Sequence, residues 1–265
     1  MFENIFPDHN FNKFPPSLKP TDYISLPDLA GVIKENRPFP PFSMLLGIHQ
    51  DGSPHLENLA SGLSSSFLIA GDHSFANTYL LHGILSGAAQ LNPPDEVNIH
   101  MISPRQDGFK AAALYEHFKI HYDPFEPQAE ILIEEMAHLA VERRLQRQPL
   151  PFHILAVDGL DKLLRSLSAA GRAKLLWLLD FAGRAGFWVI ATLETQAVHK
   201  ADWQMVHAFQ GRILGQVQSL RLEQAFSGRD DLALHTLIPG VEAVICNQGA
   251  CTRVWVPELN QPKIK

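Results

Sequence analysis

The chain has 265 residues, of which 46% are hydrophobic and 19% are charged, as is typical of a soluble globular protein with one large domain. Its 22 basic and 28 acidic residues give a net charge of -6, which excludes a globally positive surface for nucleic acid or anionic lipid. The sequence shows neither the ~20 apolar residues of a membrane span nor the basic-then-apolar start of a signal peptide. We therefore expect a cytoplasmic protein without direct membrane insertion.

The N-terminal 41 residues are rich in proline, which disfavours a continuous helix or a central strand. They predict an arm with one short helix, capped by Ser25 and ending near Asn36, whose apolar side docks on the rest of the chain. We assign residues 1–41 to this arm, 42–257 to the main domain and 258–265 to a C-terminal tail.

Strand-like and helix-like segments alternate after Phe42. A hairpin is predicted first, with strands over 42–49 and 54–59. Further strands are predicted over 66–70, 97–102, 152–157, 187–192 and 212–217, and helices over 78–90, 108–118, 127–148 and 169–185. This alternation predicts an α/β fold with a mainly parallel sheet flanked by helices, closed by an antiparallel hairpin over 241–257.

The two cysteines, Cys246 and Cys251, flank a four-residue loop in that last hairpin, which would place them opposite one another. A disulfide, half of a metal site and two reduced thiols are the alternatives. Reduced thiols are favoured, because a cytoplasmic location is expected and no suitable histidine pair completes a tetrahedral site. His117 and His121 would share a helix face, but Pro124 indicates that the helix ends there. We predict no metal site.

The turn between the strand over 66–70 and the helix over 78–90 has the position of a phosphate-binding P-loop, whose signature is GxxxxGK[ST]. The first glycine and the last threonine are present as Gly71 and Thr78. Ala76 replaces the second glycine, and Asn77 replaces the lysine. The candidate nucleotide site comprises Gly71, Asp72, His73, Ser74, Phe75, Ala76, Asn77, Thr78 and, after a later strand, Asp158.

The order of these motifs resembles the FtsK/SpoIIIE superfamily of RecA-like motor domains, including the ATPase domains of the type VII secretion component EccC. The matching segments are LLGI (45–48), DGSP (51–54), NPPDEV (92–97), IHMISP (99–104), FHILAVD (152–158) and AGFWVIAT (185–192). The resemblance covers residues 42–257 and implies a RecA-like P-loop NTPase fold, with Asp158 at the end of a Walker B strand.

Three parts of the hydrolytic apparatus that the resemblance implies are altered. Ala76 adds a methyl group where the backbone must approach phosphates, and Asn77 carries no positive charge. Gly159 stands where the family has a glutamate that polarises water, and Leu193 stands where it has a polar sensor. Asp72 would repel a phosphate if its carboxylate pointed inward. We therefore predict no catalytic residues.

The retained Gly71, Thr78 and Asp158 fit either structural roles or residual contact with a nucleotide. The favoured hypothesis is a pseudo-ATPase domain, an assembly or regulatory subunit of a DNA-translocation or secretion-type machine. Its partners would be related ATPase subunits or copies of itself, and no cofactor is expected. The alternative is an ATP- and Mg²⁺-binding translocase motor whose site is completed by a neighbouring subunit. DNA contact would need a local patch. The candidates are basic residues on or near the helices over 127–148 and 169–185, namely Arg143, Arg144, Arg147, Arg165, Arg172, Lys174 and Arg184.

Overall fold

The computed structural model describes residues 28–62, 64–105, 116–146, 150–200 and 203–259. The strands are β1 (Ser43–Ile48), β2 (Pro54–Asn58), β3 (Ser66–Gly71), β4 (Val97–Ile102), β5 (Phe118–Tyr122), β6 (Phe152–Val157), β7 (Phe187–Glu194), β8 (Gly211–Leu214), β9 (Glu242–Asn247) and β10 (Ala250–Trp255). The α-helices are α1 (Leu29–Glu35), α2 (Ser74–Leu91), α3 (Pro127–Gln146), α4 (Leu160–Ser166), α5 (Ala169–Phe181), α6 (Trp203–Ala208) and α7 (Leu220–Ser227). None of the helices in these ranges is long and apolar enough to cross a membrane.

The strands form one sheet in the order β2-β1-β10-β9-β8-β3-β7-β6-β4-β5. Neighbouring strands from β8 to β5 run parallel, whereas the pairs from β2 to β8 are antiparallel. The predicted α/β fold with a mainly parallel sheet and two hairpins is therefore confirmed. Because β3 lies between β7 and β8, the loops that follow these three strands meet at one edge of the sheet.

Helices cover both faces of the parallel strands, which explains why β3 and β6 are buried along their whole length. Successive side chains of a strand point to opposite faces. On β3, Leu68 packs into the cluster that includes residues of α3, α4 and α5, while Phe67 and Ile69 pack into the cluster that includes α2. The loop after β3 is thus held between two packed layers.

Helix α1 docks on the main body, as predicted, through Leu29, Val32 and Ile33, which pack with Leu45 and Ile48. The predicted cap was wrong, because the helix begins at Leu29 instead of near Ser25. The side chain of Asp28 caps it by accepting a hydrogen bond of 2.7 Å from the backbone N–H of Gly31. An aspartate three residues before that N–H has the reach that an N-cap needs.

Several predicted boundaries differ from the structure. The first helix after β3 begins at Ser74, four residues before Thr78, and the helix after Ser168 ends at Phe181. The last parallel strand is Gly211–Leu214, not 212–217. Most of the helix predicted over 108–118 lies outside the described residues, but Phe118 opens strand β5. His121 therefore lies in a strand, so the helix face considered for His117 and His121 does not form.

The C-terminal hairpin turns through two residues, Gln248 and Gly249, instead of the predicted four. Both have positive φ, 50° and 83°, as a tight hairpin turn requires. This register pairs Cys246 with Cys251, and the two sulfurs form a disulfide. The prediction of two reduced thiols was wrong for this structure, because the short turn brings the two side chains together.

Candidate nucleotide site

The candidate loop is short. Only Asp72 and His73 separate the end of β3 from the beginning of α2 at Ser74. The backbone N–H of Asn77 donates to the carbonyl of His73 at 3.1 Å, so it closes the first helical turn. The N–H of Asp72 donates to the carbonyl of Gln216 at 2.8 Å. Two backbone donors of the predicted phosphate loop are thus used within the chain.

The side chain of Asn77 fills the inside of this turn. It is 3% exposed, and its Nδ2 donates to the carbonyl oxygens of Gly71 and Leu193, each at 3.1 Å. A Cβ added at Gly71 would lie 2.8 Å from Oδ1 of Asn77, which explains why a glycine suits that position. Asn77 therefore ties the end of β3 to the end of β7 through a neutral amide, at the position where a P-loop has its lysine.

The carboxylate of Asp72 is held by the two neighbouring loops. One oxygen accepts from the hydroxyl of Thr195, and the other accepts from the backbone N–H of Gln218 at 2.8 Å. Thr195 follows β7 and Gln218 follows β8. The charge of Asp72 thus links three loops at the same edge of the sheet.

The residues between Asp72 and Asn77 lie nearer the surface. His73, Ser74 and Phe75 are exposed, and Ala76 is half-buried. A ring nitrogen of His73 contacts Oε1 of Gln216 at 3.0 Å. The first turn of α2 therefore presents mostly solvent-facing side chains.

Asp158, at the end of β6, lies at the centre of a buried hydroxyl network. Its Oδ1 accepts from the hydroxyls of Thr78 at 2.7 Å and Thr192 at 2.9 Å, and its Oδ2 accepts from Ser103 at 3.2 Å. Asp158 is only 5% exposed, so these donors offset the cost of burying its charge. Two of the predicted site residues, Thr78 and Asp158, are thus in direct contact.

The positions after Asp158 do not bring a second carboxylate to it. Gly159 has a φ of 95°, a left-handed conformation that favours glycine, and its N–H donates to the hydroxyl of Thr192 at 2.8 Å. Asp161 lies in α4, where it pairs with Arg165 at 3.3 Å. Leu193 is fully buried in the hydrophobic core.

The sequence did not single out Ser103, Thr192 or Thr195 as site residues. Each of them lies at or just beyond the carboxyl end of a parallel strand. This position was the signal in the sequence that could have indicated them, because the carboxyl ends of neighbouring parallel strands meet at one edge of the sheet. At that edge, the hydroxyl of Thr195 donates to Asp72, and the hydroxyls of Thr192 and Ser103 donate to Asp158.

No family model matches the sequence, and no curated protein matches it. The cytoplasmic domain of the Thermomonospora curvata type VII secretion ATPase EccC has a similar structure, with a TM-score of 0.66 and 14% identity over 88% of this chain and 31% of that one. EssC (ATPases 2 and 3) from Geobacillus thermodenitrificans gives a TM-score of 0.68 and 12% identity over 86% of this chain and 49% of that one.

The pCW3 conjugation coupling protein TcpA, solved as a monomer with ATPγS, gives a TM-score of 0.66 and 13% identity over 89% of this chain and 70% of that one. The chain thus spans 31% of the EccC structure and 49% of the EssC structure that it matches. At such identities the likeness shows the fold alone. This fold is the P-loop NTPase fold of the EccC and EssC ATPase domains and of TcpA, as the FtsK/SpoIIIE resemblance predicted.

Proposed function

We propose that this chain is a pseudo-ATPase domain, an assembly or regulatory unit of a DNA-translocation or secretion-type machine. The observation that carries the proposal is the buried amide of Asn77, which donates to Gly71 and Leu193 where a P-loop lysine would face the phosphates. These two hydrogen bonds hold the turn in place without a bound nucleotide.

The electrostatic energy lost with the positive charge of the P-loop lysine supports this function. Two unit charges about 4 Å apart interact by about 4 kcal/mol at an effective dielectric constant of ~20. A helix N-terminus contributes only about 0.3–2 kcal/mol to binding of an anion. The N-terminus of α2 therefore cannot replace the lysine, and two N–H groups of the turn already donate within the chain.

The surroundings of Asp158 also support a structural role. A magnesium ion at this carboxylate would have to compete with the hydroxyls of Thr78, Thr192 and Ser103. The internal hydrogen bonds of the turn and of Asp158 argue against a magnesium triphosphate at this site, so we derive no hydrolytic step. ATP and Mg²⁺ belong to the alternative function only.

The structural neighbours support a place in a multi-subunit machine, because EccC is described as a secretion ATPase and TcpA as a conjugation coupling protein. The partners that we propose are related ATPase subunits or further copies of this chain. We also propose a cytoplasmic location for the domain.

Contact with DNA has weaker support. The basic side chains proposed for it mostly have partners within the chain: Arg143 with His153, Arg165 with Asp161, Arg172 with the carbonyl of Leu164, and Lys174 with Glu134. Binding of duplex DNA that weakens with added salt would show that the remaining basic residues suffice.

The proposed function is tested by ATP turnover and ATP binding of the purified chain. We expect no magnesium-dependent hydrolysis and no thermal stabilisation by millimolar ATP, since a ligand that binds the native state raises its stability. Asp158→Asn is the matched control for contaminating ATPases. Turnover by the wild type that this variant loses would overturn the proposal.

The alternative is an ATP-binding translocase motor whose site is completed by a neighbouring subunit. It is favoured by Thr78 and Asp158, which occupy the P-loop and Walker B positions and lie 2.7 Å apart. It predicts ATP binding when a partner ATPase is present. Calorimetric titration of ATP into the mixture, with Thr78→Val as the control, separates the two functions.

A further inference from the structure

Two histidines converge at the hairpin between β1 and β2. His49 follows the last residue of β1, and His55 is the second residue of β2. Nε2 of His49 and Nδ1 of His55 are 3.2 Å apart, with ring centroids 5.0 Å apart and ring planes at 54°. Both rings are half-buried, so one side of the pair faces solvent.

Hydrogen bonds within the hairpin fix the backbone that carries both histidines. The N–H of His49 donates to the carbonyl of Ser53 at 2.8 Å, and the N–H of Gly52 donates to the carbonyl of His49 at 3.0 Å. Asp51 closes the turn by accepting from both the N–H and the hydroxyl of Ser53, at 2.9 and 2.6 Å. The loop between the two histidines is therefore ordered without a ligand.

The distance between them matches that of two ligands on one metal ion. With metal–nitrogen bonds of about 2.0–2.1 Å, two imidazole nitrogens stand roughly 2.9 Å apart in a square-planar complex and roughly 3.4 Å apart in a tetrahedral one. The observed 3.2 Å lies between these values. A single hydrogen bond between the two rings fits the same distance in the absence of metal.

A second histidine pair shows what a purely structural contact looks like. Nε2 of His100 and Nδ1 of His153 are 3.0 Å apart, but both residues are buried, and Arg143 donates to the remaining nitrogen of His153 at 3.0 Å. The guanidinium excludes a second cation there. The charged side chain in the hairpin of His49 is instead a carboxylate, that of Asp51.

We propose that His49 and His55 bind a divalent transition-metal ion through Nε2 and Nδ1. Over the part of the chain that the structure describes, no group of three or more His, Cys, Asp or Glu side chains forms a metal site, so water or a partner fills the other positions. Imidazole ligands and the usual order of metal affinities favour Cu²⁺ over Ni²⁺ and Zn²⁺.

The test is titration of the full chain with Cu²⁺, followed by calorimetry and by the nitrogen hyperfine pattern in its electron paramagnetic resonance spectrum. We expect the double variant His49→Ala/His55→Ala to bind one equivalent less than the wild type. Each single variant should lose about tenfold or more in affinity, since even loss of an outer-shell partner costs roughly 10–100-fold. His138→Ala is the matched control, because His138 is an exposed histidine beside a carboxylate, Glu142.

The site is independent of the nucleotide question, so its failure leaves the proposed function untouched. A spectrum with two bound imidazole nitrogens, lost in the double variant and retained in His138→Ala, would support it. Equal stoichiometry and affinity for the wild type and the double variant would overturn it, and so would a wild type without saturable Cu²⁺ binding. Circular dichroism of each variant shows whether the fold is kept.

Discussion

Arg143 donates a hydrogen bond from its guanidinium to Nε2 of His153 at 3.0 Å, and this contact determines where the protons of two buried histidines lie. A guanidinium can only donate, so Nε2 of His153 accepts and its proton is on Nδ1. That proton points to Nε2 of His100, 3.0 Å away, which leaves the proton of His100 on Nδ1. Both rings are thus neutral, and burial lowers the pKa of His100 to about 4 and that of His153 to about 3.

The first prediction is a loss of stability as the pH falls below about 6.5, the usual histidine pKa. The unfolded chain then binds protons that the folded chain does not, because both folded pKa values are lower. Each histidine should cost about 1.4 kcal/mol of unfolding free energy per pH unit across this window. Urea unfolding between about pH 7 and 5 measures the slope, above the range in which most carboxylates titrate.

A matched pair of variants assigns that slope. His100→Gln removes one titrating ring, so its unfolding free energy should fall less steeply with pH than that of the wild type. His138→Gln, an exposed substitution on α3, is the control. A slope in His100→Gln equal to that of the wild type would contradict the role given to the buried pair.

The second prediction concerns the amide of Asn77. Asn77→Ala leaves the carbonyls of Gly71 and Leu193 without this donor, which should lower the unfolding free energy by about 1–3 kcal/mol. Asn77→Asp should cost more, because it places carboxylate oxygens against those carbonyl oxygens. Urea unfolding measures both, with Asn58→Ala, an exposed asparagine with one hydrogen bond, as the control. Costs no larger than that of Asn58→Ala would argue against the amide as the tie between β3 and β7.

The third prediction concerns the hydroxyl network of Asp158. Thr192→Val keeps the shape of the side chain but removes the donor to Asp158 and the acceptor for the N–H of Gly159. The loss should be about 1–3 kcal/mol of unfolding free energy. Thr236→Val, in which an exposed hydroxyl is removed, is the control. If both variants unfold alike in urea, the network does not stabilise the charge of Asp158 as described.

The fourth prediction concerns the disulfide of the C-terminal hairpin. Its cysteines have a sequence separation of 5, and for so short a loop the chain-entropy relation gives about 2 kcal/mol of stabilisation. Reduction should lower the unfolding free energy by about this amount. Urea unfolding with and without a thiol reductant measures it, and the variant Cys246→Ser/Cys251→Ser should not respond to the reductant. Equal stability of oxidised and reduced wild type would refute the estimate.

The parallel core of the fold was predictable because its strands are buried on both faces and read as continuous apolar runs, such as β6. Strand β5 was missed. Its Phe118, Ile120 and Tyr122 alternate with polar residues, but the alanine-rich segment before it favoured a helix over the whole stretch. A period-two pattern of five residues is a weak signal beside such a neighbour.

The candidate site was predictable only where a motif is local. The turn from Gly71 to Thr78 is contiguous, but the hydroxyls of Ser103 and Thr192 reach Asp158 across 55 and 34 residues of sequence. The order of strands in the sheet brings them together, and spacing in the sequence does not show it. His49 and His55 were not predicted as a pair, because their convergence depends on the hairpin register and their spacing of six residues does not match one face of a helix.

The pairing at Asp28 and Glu258 brings the beginning and the end of the described body side by side. The bridge is parallel, and the N–H of Leu29 donates to the carbonyl of Glu258 at 2.9 Å. The polypeptide thus runs in the same direction through both residues. A mechanical pull on the two ends of the described body would load this contact in shear, lengthwise, together with the docked helix α1, instead of peeling it open.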